Sequence, residues 1–96
     1  VKIALTSVLI LFSSLAFANS KPCLTQARQE VRSRAMQMFE DSDCSIKLSK
    51  INQTTEVVTY FAELSCVEAG GFFDVTDVVA MKYTKLPSGK YSCTVL

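Results

Sequence analysis

The apolar positions pass through three regimes along the chain. From Ile3 to Leu15 they run almost unbroken, interrupted by Thr6, Ser7, Ser13 and Ser14. From Leu24 onward they recur at helical spacing: Leu24, Ala27, Val31, Ala35 and Met38 form one stripe, with Arg28, Gln29, Arg32, Ser33 and Gln37 away from it. Pro22 suits a first helical turn, where its missing N–H is unsatisfied in any case. Asp41 and Asp43 would oppose the macrodipole at a helix C-terminus, so the helix should run from Pro22 to about Glu40. After Asp43 the period becomes two. Cys44, Ile46 and Leu48 alternate with polar residues. So do Val58, Tyr60, Ala62, Leu64 and Cys66, then Val75, Val79, Met81 and Tyr83, then Tyr91, Cys93 and Val95. Turn-like segments separate the runs at Asn52-Gln53-Thr54, Ala69-Gly70-Gly71 and Pro87-Ser88-Gly89. Short connections favour antiparallel neighbours. The pattern therefore predicts an α+β fold, one N-terminal helix packed on a four-stranded antiparallel meander. Asp77 is the misfit, a carboxylate at a core-facing position, and a bulge there would re-aim it.

The first regime reads as a secretory leader over residues 1–18. Lys2 supplies the positive start, the apolar run follows, and Ala16-Phe17-Ala18 is the small-x-small pattern for cleavage. A spanning helix needs about 20 predominantly apolar residues, and Asn19-Ser20-Lys21-Pro22 ends this run sooner. Cys23 lies too far past the cleavage point for lipidation there. Residues 19–96 then form a single small domain of 78 residues. The full chain carries ten Lys+Arg and nine Asp+Glu, and removing Lys2 with the leader brings the net charge to zero. Nucleic-acid binding through a global basic field is thereby disfavoured. Lys21, Arg28 and Arg32 share a helix face and read as a solvated surface.

Four cysteines in a small exported chain read as disulfides. Folding about Gln53 would bring Cys44 opposite Ala62 to Leu64, close to Cys66. Cys93 would lie opposite Met81 at the other end of the sheet, beneath the helix start at Cys23. The expected bridges are Cys23–Cys93 and Cys44–Cys66. The cysteine spacings are unlike the short pairs of zinc sites, and there is no histidine, so neither a metal nor a cofactor is expected.

The same absence removes the commonest general base. No serine sits in a nucleophile elbow. Ser49 and Lys50 are strand neighbours that point to opposite faces. Asp41/Asp43 and Asp74/Asp77 are paired carboxylates without room for a glycosidase cleft. Gly70-Gly71 reads as a hairpin turn. Asn52-Gln53-Thr54 is a glycosylation acceptor sequence at a hairpin tip. A non-enzymatic protein is expected.

On the solvent side of the meander, Val57, Phe61, Val78 and Ala80 interrupt a run of Ser, Thr, Lys and Glu, with Phe61 opposite Val78 or Ala80. These four are the candidate partner surface. Phe72-Phe73 at the second hairpin is expected in the core, with partner contact as the alternative. The order of elements is similar to the cystatin-like architecture, in which a sheet wraps a helix. That family's Q-x-V-x-G motif is absent, the first hairpin reading Gln53-Thr54-Thr55-Glu56-Val57, and so is its Pro-Trp. The resemblance implies architecture alone. The sequence points to a periplasmic or extracellular binding or inhibitor-type module. It should be monomeric, act on a protein partner and lack stable membrane insertion once the leader is removed. The alternative is a self-associating envelope subunit that uses the strand from Lys90 to Leu96.

Overall fold

The structure, a computed structural model, describes residues 20–40 and 42–96. The leader assigned to residues 1–18 and Asp41 lie outside the described residues. One helix, α1 (Leu24–Met38), precedes four strands, β1 (Asp43–Gln53), β2 (Val57–Glu68), β3 (Gly71–Lys85) and β4 (Tyr91–Val95). The strands are hydrogen-bonded in the order β1-β2-β3-β4, every pair antiparallel. This is the expected helix-on-meander.

The helix begins two residues later than expected. Pro22 and Cys23 form a turn before it, and Cys23 takes a left-handed conformation, φ 63°, at the N-cap. No side chain caps this end. Ala27, Val31 and Ala35 are buried against the sheet, and Leu24 is half-buried. Met38, expected to complete the stripe, is 72% exposed. Phe39 takes its place, packing on Phe73 with ring centroids 5.0 Å apart. The helix contributes small side chains. The volume comes from the sheet, where Tyr60, Met81, Val58 and Val79 are fully buried.

The loop between β2 and β3 is as expected, with Gly70 at φ 114° between the closing pair Glu68 and Gly71. The first turn is displaced. β1 continues through Asn52 and Gln53, and the chain reverses at Thr54-Thr55-Glu56, where the Thr54 hydroxyl accepts the Val57 N–H at 3.0 Å. Asn52 thus lies within a strand and not at a tip. A bulge falls between Lys50 and Asn52. None falls at Asp77, which keeps its core-side position opposite Ala62.

Both disulfides form as expected. Cys23–Cys93 joins the helix start to β4, and Cys44–Cys66 joins β1 to β2. The registers differ from expectation: Cys44 lies directly opposite Cys66, and Cys93 lies opposite Tyr83 instead of Met81. The pair Val58–Met81 is as read from the sequence. Two bridges of this kind belong to an oxidising compartment. Among the described residues no helix is long and apolar enough to cross a membrane.

Candidate functional site

The helix is held to the sheet by polar clamps. Arg34 Nη1 donates to both carboxylate oxygens of Asp77 at 3.3 Å and to the Val78 carbonyl at 3.2 Å, while its Nε meets Glu30 at 3.1 Å. Asp77 in turn accepts the Val78 N–H at 2.8 Å. The misfit carboxylate is thus accommodated by a helix cation, with no local change of backbone. On the opposite flank Arg28 donates to the Ile46 carbonyl at 2.8 Å. Arg28 is therefore a clamp on β1 and not part of a solvated basic face with Lys21 and Arg32.

At the helix start, Lys50 Nζ donates to the Ser20 carbonyl and to Gln53 Oε1, both at 2.6 Å. Gln53 also donates to the Tyr83 hydroxyl at 3.2 Å. The buried Tyr60 hydroxyl donates to the Pro22 carbonyl at 2.8 Å. Burial, and then the neighbouring Tyr83, push the Tyr60 pKa up to about 12. These groups tie the chain entering the helix to the sheet. Ser49 lies on the far face from Lys50, opposite Phe61.

The other face of the sheet has no covering layer among the described residues. At its centre Phe61 lies directly opposite Val78, with Thr59 opposite Ala80 and Val57 opposite Lys82. The four residues singled out from the sequence share this face. Val78 is 51% exposed, whereas Val57, Phe61 and Ala80 are half-buried by their neighbours. A second apolar pair, Val67–Phe72, sits nearer the β2–β3 turn, with Phe72 85% exposed. Phe72 and Phe73 therefore part company, the first in solvent and the second against Phe39. The bulge exposes Ile51 as well. Ile51 continues the outward parity of Ser45, Lys47 and Ser49, but it adjoins the turn expected at Asn52-Gln53-Thr54, so the alternation read from the sequence stops short of it.

A groove of about 570 Å³ runs between the C-terminal half of α1 and β3, with Val31, Met38, Phe39 and Val75 among its apolar walls and Arg34 and Asp77 toward one end. It was not legible from the sequence, because it depends on β3 extending well past the short β4. All four cysteines are bridged. Compared with protein-family models, with curated proteins and with solved structures, the chain matches none.

Proposed function

We propose that the chain is an exported protein-binding module, acting in the periplasm or outside the cell, that engages its partner through the uncovered sheet face centred on Phe61 and Val78. The observation that supports this is the cross-strand pair itself. An aromatic and a branched aliphatic side chain face each other at the middle of a sheet whose helix covers the opposite side. Burying such a pair adds packing between the rings and methyls to ordinary apolar transfer. Val57 and Ala80 extend the patch along both strands. Binding without chemistry fits a chain with no histidine and every cysteine in a disulfide.

The second reading is a self-associating envelope subunit, favoured by the exposure of Phe72 and Val67 on the same face. Light scattering after size exclusion, with Phe61→Ser as the comparison, separates the two. The binding module is a monomer whose partner is captured from the native exported fraction by the parent chain and not by Phe61→Ser. The variant should lose about 1 kcal/mol and stay folded, since Phe61 is half-buried in its cross-strand pair with Val78. Equal capture by both chains would remove this face from the mechanism. An oligomer that dissociates in the variant would establish the second reading.

A further inference from the structure

β3 is fifteen residues long and β4 only five, so their pairing covers Met81–Lys85 alone. The Leu96 N–H adds one bond to the Ala80 carbonyl at 3.0 Å. Ala80 therefore turns its backbone groups toward the β4 side. By the two-residue period of a strand, Val78, Thr76, Asp74 and Phe72 do the same. Val78 is already stoppered, its N–H by Asp77 and its carbonyl by Arg34. Phe72, Asp74 and Thr76 have no such partner among the described residues. They leave an open edge about 17 Å long over five residues, and it forms one wall of the groove beneath α1.

The outer edge of β1 is defended differently. Arg28 holds its Ile46 carbonyl, Lys47 and Lys50 lie along it, and the bulge twists its far end. The open stretch of β3 carries no lysine, no proline and no bulge.

We infer that this stretch is a strand-addition site for an extended peptide of apolar–cationic–apolar pattern. A residue placed opposite Asp74 puts its side chain beside Asp74 on the uncovered face. Its two neighbours turn the other way, into the groove against Val75 and Met38. Asp74 is exposed and makes no ion pair among the described residues, since Arg34 is engaged by Glu30 and Asp77. Glu40, Asp43 and Glu68 lie at the same end of the molecule. The complementary strand therefore carries a Lys or Arg at its centre and small apolar residues on either side. A second copy of this chain fits poorly. Two-fold pairing about the middle of the open stretch sets Asp74 against its own counterpart, and like charges directly opposite are destabilising. The site is distinct from the Phe61 patch and does not depend on it.

The test is an amide NMR titration of the full chain with the blocked peptide Ser-Thr-Val-Lys-Val-Thr-Ser and its Glu-centred counterpart. The Lys peptide should shift the Phe72, Asp74 and Thr76 amides saturably and slow their hydrogen exchange. The Glu peptide should bind roughly fivefold more weakly, and Asp74→Lys should reverse that preference. Thr76→Pro removes an outward N–H, which an edge strand tolerates, and should abolish binding. If that variant does not fold, the charge reversal at Asp74 decides alone. The inference is overturned if neither peptide shifts these amides, or if Asp74→Lys leaves the preference unchanged. It is overturned equally if the shifts fall on Phe61 and Val78 instead. Concentration-dependent shifts at Phe72–Thr76 without peptide would make a second copy the occupant and overturn it as well.

Discussion

Tyr60 shows how one side chain joins the two layers. Its alternation with Thr59 and Phe61 marks it as inward-facing from sequence, but its partner, the Pro22 carbonyl, is 38 residues away and visible only in the fold. The ring is fully buried, and burial raises the hydroxyl from 10.0 to about 12. The folded state thus resists ionisation that the unfolded chain accepts. With the folded pKa above the unfolded one, the contribution is intact below about pH 10 and is lost as pH rises toward 12, at about 1.4 kcal/mol per pH unit. Urea melts across this window, followed together with tyrosinate absorbance, should show the midpoint falling as Tyr60 ionises. Tyr60→Phe should begin about 1 kcal/mol less stable, having left the Pro22 carbonyl unpaired, and then decline less steeply. An equally steep decline in the variant would assign the alkaline loss to other groups.

At the scale of elements, the disulfide pairing was legible although two registers were not. The turn was expected at Gln53 and falls at Thr54-Thr55-Glu56, because Asn52 and Gln53 remain in the strand and the bulge at Ile51 absorbs one residue. Cys93 was likewise displaced from Met81 to Tyr83. Relative to the partners assigned from sequence, Cys44 moved along β2 to Cys66 and Cys93 along β3 by two positions, without changing face. An even slip preserves which side a residue occupies, whereas an odd slip reverses it. The bridges were therefore secure against an error that would misplace individual contacts. They enclose loops of different length, with sequence separations of 70 and 22. In the chain-entropy description, removing Cys23–Cys93 should cost roughly 4 kcal/mol and removing Cys44–Cys66 roughly 3. Denaturant melts of the paired Cys→Ala variants, without reductant, give the comparison. The reverse order would show that packing around the cross-strand bridge outweighs loop entropy. A single small core of this size supplies only about 3–5 kcal/mol of net stability, so either variant should sit near its folding limit.

For the whole molecule, composition revealed a net charge of zero for residues 19–96 but not where the charges lie. The meander sorts them. Lys21, Lys50, Lys82, Lys85 and Lys90 gather at the end where α1 begins and β4 pairs, opposed there by Glu56. Glu40, Asp43, Glu68 and Asp74 gather at the other. Between them Lys47 faces Glu63 across the strands, and Arg34 is held by Glu30 and Asp77. The pattern of apolar positions carried the architecture and the Phe61 patch, because both follow from local alternation. Charge separation and the open β3 edge follow from strand lengths and registers, which no local pattern encodes. In the exported form proposed above, residues 19–96, the molecule is neutral with unlike ends. Such a molecule attracts its own copies end to end, and the attraction is long-ranged only while salt is low. The Debye length is about 30 Å at 0.01 M and about 8 Å at 0.15 M. Static light scattering should therefore give a negative second virial coefficient at the lower salt that rises toward zero at the higher. Exchanging Lys90→Glu with Glu68→Lys keeps the net charge at zero and weakens the separation, so the salt dependence should flatten. Attraction that survives both salt and exchange would instead come from apolar contact, and Phe61→Ser would then be the substitution that removes it.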